Sequence, residues 1–496
     1  MKTKPVLMCV FLFALALVAF VDGCTVGPKY SRPKTAADTS GSYVRVGAHS
    51  EDVNDLERID SWWERFGDPV TASLVRQALA NNYDLQAAAA RVLQAQAALA
   101  EIRGRQWPDV SYNLSRDRSK RSFNLGGGPF GGGGRFSVMS TTWSQDISVT
   151  YIVDLFGKLR HAERAAWVEM LAAEANEQAL INSMIATVIR ARIDIATIQR
   201  RLVIARANTE SRQSTLEIVE RRYGQGLVGP VDVRLARENL EAAKAIEPSV
   251  ELSLARAHHA LDVLLANPPG ASEYLPDTLA DLPDLEPVSI GVPASLLDRR
   301  PDVRAAEFAI RAANERIGVS IAQLFPDLTL TANYGASADR WRDIWEHYSE
   351  TYSALMRLAQ PIFKGGQLRA QVDAAKARYA ELAANYAGTV LSAMQEVEDA
   401  LISEQMLQTQ LEHVRRRLSE AKDAEKLSRQ RYQRGVESIL AVLESERRRR
   451  IAEEQLTILK GQIWTTRVNL YLALGGDWNC QKQPEKQVAK EWLKEK

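Results

Sequence analysis

Apolar residues along this chain fall into two alternating regimes. In one, Ile181, Val188, Ile195 and Leu202 recur every seventh residue, and Met184, Ala191, Ile198 and Ala205 repeat the pattern three positions later. A sustained a/d heptad is the seam of a left-handed coiled coil, and the small residues in the second series allow close helix approach. The seam lies in a stretch from Gly157 to Arg222 with no internal proline or glycine, and a second proline-free stretch runs from Gln367 to Arg434. Each predicts a helix of about 65 residues, on the order of 100 Å at 1.5 Å per residue. In the other regime the period is two. Val110, Tyr112 and Leu114 alternate with Ser111, Asn113 and Ser115, and Leu328, Leu330, Ala332 and Tyr334 alternate with Thr329, Thr331 and Asn333. Ile147, Val149, Tyr151 and Val153, and later Tyr352, Ala354, Met356 and Leu358, give the return strands. Runs of about ten residues with one apolar and one polar face are the pattern of outer-membrane strands; soluble hairpins are the alternative.

The elements occur twice in the same order. Tyr223-Gly224-Gln225-Gly226-Leu227-Val228 matches Tyr432-Gln433-Arg434-Gly435-Val436-Glu437 at an offset of 209, and Leu159-Arg160 matches Leu368-Arg369 at the same offset. Trp107-Pro108-Asp109-Val110-Ser111 resembles Phe325-Pro326-Asp327-Leu328-Thr329 at an offset of 218. Three matched motifs in one order indicate a tandem duplication of about 210 residues. The expected division is a leader, 1–23; an extended segment, 24–61; a first repeat, 62–266; a connection, 267–301; a second repeat, 302–474; and a tail, 475–496. The first repeat holds a helix over 69–105, strands 108–117 and 141–153, and helices 157–222 and 231–266. The second holds a helix over 302–323, strands 326–338 and 348–361, and helices 367–434 and 438–474. The loops between paired strands differ: one carries the glycine run 126–134, the other Trp341 and Trp345 beside Arg340 and Arg342, a composition suited to a membrane–water interface.

Lys2, Lys4 and the apolar run from Val6 to Val21 read as a secretory signal. Gly23-Cys24 after it resembles the lipobox of bacterial lipoproteins, so the expected modification is a diacylglycerol and an N-acyl chain on Cys24, with Thr25 lacking the inner-membrane retention signal. Of the three cysteines, Cys9 leaves with the signal, and Cys480 then has no partner if Cys24 is acylated. No later apolar run reaches 18 residues, so a membrane crossing would have to be a closed β-barrel. Two strands per repeat cannot close one alone, and exposed strand edges are forbidden in lipid, so oligomerisation is required.

Composition adds exclusions. With 46% hydrophobic and 25% charged residues the chain is not disordered, and a net charge of +1 argues against a nucleic-acid groove. Gly224-x-Gly226-x-x-Gly229 matches the dinucleotide fingerprint literally but follows a helix, where the fingerprint needs a strand. The six histidines are scattered, His258 and His259 being adjacent and so on different helix faces. No metal site, cofactor or catalytic constellation is expected, and the protein is read as no enzyme.

Several motifs then resemble a known family: Cys24-Thr25-Val26-Gly27-Pro28-Lys29-Tyr30 with Pro33, Trp62-Trp63 with Phe66-x-Asp68-Pro69, and Asp154-Leu155-Phe156-Gly157-Lys158-Leu159-Arg160. The most specific is Leu297-Asp298-Arg299-Arg300-Pro301-Asp302-Val303-Arg304-Ala305-Ala306-Glu307. Pro361-Ile362-Phe363-x-Gly365-Gly366 and Ala473-Leu474-Gly475-Gly476-x-Trp478 complete the set. Together they resemble the TolC-like outer-membrane factors in their NodT/OprM-like lipoprotein branch, over nearly the whole mature chain. The resemblance implies a mainly α fold with a small β part: a homotrimer whose long helices form a periplasmic α-barrel and whose protomers each give four strands to one 12-stranded transmembrane β-barrel. It implies an outer-membrane location, a periplasmic adaptor and an inner-membrane pump of the resistance-nodulation-division class as partners, and passive export of drugs or toxic compounds. It also implies adaptor-contact tips at Tyr223, Gly226, Leu227, Val228 and Asp232 and at Tyr432, Gly435, Val436 and Ser438, and a periplasmic aperture at Glu444 and Arg434. A type I secretion or cation-efflux component, or a purely structural periplasmic coiled-coil lipoprotein, are the alternatives.

Overall fold

The computed structural model describes residues 25–35, 62–124, 135–271, 275 and 296–476. The leader 1–23, Cys24, most of 24–61, the glycine run, most of 267–301, and the tail with Trp478 and Cys480 lie outside the described residues. In chain order the main elements are α1 (Pro69–Asn81), α2 (Tyr83–Gly104), β1 (Asp109–Asn124), β2 (Arg135–Val153), α3 (Lys158–Gly224) and α4 (Pro230–Leu264). Then come α5 (Pro301–Ala322), β3 (Asp327–Ala338), β4 (Glu350–Ala359), α6 (Gln367–Gln433) and α7 (Ile439–Ala473). The fold is mainly helical with one small sheet. Helices α3 and α6 each run 67 residues.

The single helix expected over 69–105 is two. Asn82 takes an extended backbone (φ −63°, ψ 129°), and its side-chain oxygen accepts hydrogen bonds from the Asp84 and Leu85 amides at 2.8 and 3.3 Å. An asparagine that caps the following amides offers the backbone an alternative to continuing the helix. The first strand pair is longer than 108–117 and 141–153: β1 and β2 stay in register out to Asn124 and Arg135. Helix α4 continues through Pro248, whose missing amide removes one helical hydrogen bond.

The chain divides into two compact units. Of the described residues, the first comprises 25–32, 93–124, 135–172 and 307–384. It contains the antiparallel sheet, ordered β1-β2-β3-β4, and a strap formed by residues 25–32. The strap explains two of the sequence motifs together. Glu307, 3% exposed, accepts hydrogen bonds from Tyr30 at 3.2 Å, Arg32 at 2.5 Å and Arg311 at 2.5 Å. Asn314 donates to the Pro28 carbonyl at 3.0 Å, and the Val26 amide to the Phe156 carbonyl at 3.3 Å. Burial opposes ionisation of Glu307, but the hydrogen bonds from Arg32 and Arg311 outweigh it and hold the carboxyl below its usual range. Burial and the neighbouring Glu307 push the Tyr30 phenol up to about 12.

Of the described residues, the second unit comprises 33–35, 62–92, 173–271, 275, 296–306 and 385–476. Its main core gathers Ile181, Val188, Ile195 and Leu202 with Met184, all buried, against Val250, Leu254, Leu261 and Trp464. The other heptad series packs there too, with Ala191 and Ile198 partly buried. Trp62, fully buried, stacks on Tyr471 at 5.4 Å. Asp68 caps α1 through the Val70 and Thr71 amides and lies 3.5 Å from the buried Arg192 guanidinium. Arg300, also buried, donates to the Ala473 carbonyl at 3.1 Å and pairs with Asp302 and Glu396. Asn182 donates to the Gly475 and Gly476 carbonyls. The family-like motifs therefore fasten helices to one another and to the segments that flank them.

Candidate functional site

Two regions, one in each unit, bear on function. In the first unit, strand register sorts the sheet residues onto two faces. Tyr112, Ile147, Tyr334 and Tyr352 stand in one transverse row, and Val149, Ala332 and Ala354 in the next on the same face. The opposite face carries Ser111, Asn113, Ser115, Ser148, Asp146, Ser144, Thr331, Asn333 and Ser353 in the intervening rows. Polar ladders join them: Asn113 to Asp146 at 3.1 Å, Ser115 to Ser144 at 2.7 Å and Asn333 to Ser353 at 3.2 Å. The apolar face is open, with Val110 66%, Tyr334 59%, Tyr352 80% and Met356 70% exposed. A contiguous exposed apolar face of this kind marks a lipid or protein interface. Among the described residues β1 and β4 are edge strands, each with one unpaired side.

The apolar band ends at a common level. The row Leu114, Gln145, Ala336 and Glu350 brings in polar groups, and the next row holds Arg116 and Trp143. Arg116 lies over the Trp143 ring at 5.0 Å, Trp143 meets Trp341 edge-on at 5.0 Å, and Trp341 meets Trp345 at 6.1 Å. The β3–β4 loop packs down here through Ile344, 1% exposed. A cluster of tryptophans beside cations at the rim of an apolar band has the composition of a membrane–water interface.

In the second unit, α3 and α4, and α6 and α7, are joined by tight reversals with the same hydrogen-bond pattern. The Gly226 amide donates to the Tyr223 carbonyl at 2.9 Å and Leu227 to Arg222 at 3.0 Å; Gly435 donates to Tyr432 at 2.9 Å and Val436 to Arg431 at 3.1 Å. Each is a Schellman closure of a helix C-terminus, with the glycine left-handed at φ +72° and +81°. The next helices start in different ways: Gly229 precedes Pro230 at the head of α4, with Asp232 in the first turn, while Ser438 caps α7 through the Ala441 amide. Leu227, Val231, Val436 and Leu440 are each at least 60% exposed. Val231 and Leu440 escaped the sequence reading, although they too are 209 positions apart.

The two tyrosines are not equivalent. Tyr223 is half-exposed, whereas Tyr432 is 3% exposed in a core with Leu216, Val219, Val233, Ile439 and Val442, against which Val228 packs. Arg222 lies over the Tyr432 ring at 4.7 Å and donates to the Tyr432 and Gln433 carbonyls, joining the two reversals.

Glu444 stands on the second turn of α7. Its carboxylate accepts from Arg447 at 2.8 and 2.9 Å and from Arg448 at 2.7 Å, and these two guanidiniums hold it down at about 2. Arg434 is exposed, and the structure does not bring its side chain to Glu444. The neighbouring Glu446, fully buried, was not singled out from sequence. It binds Arg212 at 2.7 Å, Thr215 at 2.6 Å and Arg429 at 2.9 Å, linking α7 to α3 and α6. Burial pushes the Arg212 guanidinium below its usual range, and Glu446 opposes that shift.

Among the described residues no helix is long and apolar enough to cross a membrane, and no group of three or more His, Cys, Asp or Glu side chains could hold a metal ion.

A model of the outer membrane efflux protein family matches residues 74–267 and 292–476. The chain is 32% identical over 480 residues to the toluene efflux pump outer membrane protein TtgF of Pseudomonas putida, covering 95% of this chain and 98% of that one. It is 29% identical over 468 residues to the outer membrane protein OprJ of Pseudomonas aeruginosa, covering 94% and 95%. Its fold is similar to that of the outer-membrane channel OprN, at 30% identity and a TM-score of 0.82, covering 92% of this chain and 100% of that one. The open state of the MtrE channel of Neisseria gonorrhoeae is similar at 27% identity and a TM-score of 0.78, covering 93% and 100%. The chain belongs to the outer membrane efflux protein family, with the fold of the TolC-like outer-membrane channels. Membership implies an outer-membrane location and a channel protein that is not an enzyme.

Proposed function

We propose that this protein is the exit duct of a tripartite efflux pump, a passive conduit that carries drugs or other toxic compounds from an inner-membrane pump to the cell exterior. The observation that carries the reading is the sheet: four strands, one exposed apolar face, one hydrogen-bonded polar face and two open edges. Such a sheet is stable in lipid only when its edges are closed, and four strands are about half of what the smallest barrel needs. Three copies closing edge to edge give a twelve-stranded barrel, with the apolar face in lipid and the polar face lining the pore. Acyl chains on Cys24 anchor the same protomer.

The partners are a periplasmic adaptor and a pump of the resistance-nodulation-division class. The adaptor docks on the tips, through exposed Leu227 and Val436 held by the reversals at Gly226 and Gly435, with Tyr223, Val228, Asp232 and Ser438 on the same surface; Tyr432, buried in the core beneath, supports the tip and does not itself contact the adaptor. Glu444 and Arg434 line the periplasmic aperture.

Purified protein in planar bilayers should give discrete single-channel currents and heat-modifiable trimers; monomers without conductance would overturn the channel reading. Gly226→Val with Gly435→Val should leave trimers intact, because the added strain is about 1–3 kcal/mol per left-handed residue. Adaptor binding and drug export should fall at least tenfold; unchanged export would remove the tips from the docking role.

A further inference from the structure

The β1–β2 ribbon extends well past the end of β3. Beyond the row of Arg116, Trp143 and Ala338, strands β1 and β2 continue alone, from Asp117 paired with Thr142 to Asn124 paired with Arg135. Alternation assigns Arg116, Arg118 and Lys120 to the same face as Val110, Tyr112 and Leu114. All three cations are exposed. Arg116 lies over Trp143, and Arg118 and Lys120 stand opposite Thr141 and Met139. Successive same-face residues on a strand are about 6.8 Å apart, so the three form a basic ladder directly above the apolar band. The acidic residue of this stretch, Asp117, and a fourth cation, Arg121, belong to the opposite face.

Resting on the reading that the apolar face meets lipid, we propose that Arg116, Arg118 and Lys120 form a binding surface for the phosphates of the outer-leaflet glycolipid. Three features select this occupant. The ladder continues the lipid-facing side of the sheet without a break, so its neighbours are headgroups. It begins at the tryptophan level, where acyl chains give way to polar groups. It lies at the hairpin end of the sheet, opposite the ends that join α2 and α3, and so on the exterior side. Arginines suit phosphate because their forked donors match its oxygens. Clustered basic residues at a membrane surface strengthen binding to anionic lipid by roughly fivefold each, so three correspond to about a hundredfold.

The test uses the full-length protein reconstituted into zwitterionic phospholipid vesicles doped with bis-phosphorylated lipid A or with its dephosphorylated form. Flotation checks insertion, and native mass spectrometry on the extracted protein reads lipid affinity. Wild type should prefer the phosphorylated lipid at least tenfold, and R116Q/R118Q/K120Q should erase that preference while still floating. R121Q, on the other face, and the charge-keeping R116K/R118K should both retain it. A preference that survives the triple substitution, or one lost equally in R121Q, overturns the proposal. So does competition by inorganic phosphate at the concentration at which lipid A binds, which would mark a site for free anions. Wild-type protein that fails to float would overturn the membrane reading, and the proposal with it.

Discussion

At the scale of single residues, the groups that the sequence marks out most clearly hold structure together. Glu307 is the clearest case, because one buried carboxylate ties down the strap through Tyr30 and Arg32 while pairing with Arg311 on its own helix. Its two arginine partners are 34% and 40% exposed, so water recovers part of what their loss would cost. Glu307→Ala should therefore destabilise the first unit by about 2 kcal/mol. Limited proteolysis should report it as faster cleavage within residues 25–32. The pH dependence has a definite sign. The folded carboxyl titrates below the ordinary value of 4.5, so its stabilisation is complete above that value and is lost as the pH falls through the lowered one. Wild-type strap cleavage by an acid-active protease should rise steeply below pH 4.5, and Glu307→Ala should show no such step; identical profiles would separate Glu307 from the strap.

At the scale of elements, legibility follows periodicity. The heptad seam and the alternating strands could be read because one side of each is apolar, and a repeat in burial writes a repeat into the sequence. The outer half of β1 could not, because Arg116 to Arg121 is polar on both faces and a strand wetted on both sides carries no period-two signal. The break at Asn82 was hidden for a related reason: no proline or glycine marks it, only a side chain that caps the following amides. The tips were legible through their glycines, but the contact between Arg222 and Tyr432 and the lock on Glu446 join residues 210 and 231 positions apart, which no local window contains. That lock should be strong. Glu446→Ala would leave buried Arg212 without its carboxylate, a change that costs about 3–5 kcal/mol, and denaturant unfolding of the detergent-solubilised protein should register it. The sheet offers a second test. A Cβ on Gly335 would stand 2.0 Å from the Gln145 carbonyl oxygen, whereas one on Gly388 in α6 meets nothing within 4 Å. Gly335→Ala should therefore cut the yield of heat-modifiable oligomer several-fold. Gly388→Ala should leave it unchanged or stabilise the helix by about 0.5–1 kcal/mol. Equal yields from the two would mean that the β2–β3 approach is not limiting for assembly.

At the scale of the whole molecule, near-neutrality conceals a sorted charge distribution. The net charge is +1 over 496 residues, yet basic side chains gather on the outer ribbon and again in the run Arg447 to Arg450. The second cluster bears on the proposed aperture. A ring of three Glu444 carboxylates would be an acidic, cation-selective constriction if the side chains were free. Here each carboxylate is shared between Arg447 and Arg448, so the local group of three carries one positive charge. The same guanidiniums keep Glu444 ionised down to about pH 2. While that pairing holds in the assembled channel, the proposed aperture carries no proton switch at Glu444 in the range that a periplasm experiences. In planar bilayers, the pH dependence of conductance between pH 4 and 7 should be the same for wild type and Glu444→Gln. Removing the screen should have the opposite effect on selectivity: Arg447→Gln with Arg448→Gln uncovers the carboxylates, and reversal potentials in a salt gradient should shift toward cations. A double substitution that leaves selectivity unmoved would take Glu444 out of the conduction path. A Glu444→Gln channel that loses its response between pH 5 and 7 would show that the carboxyl titrates there and that the arginine pairing is broken in the assembled pore.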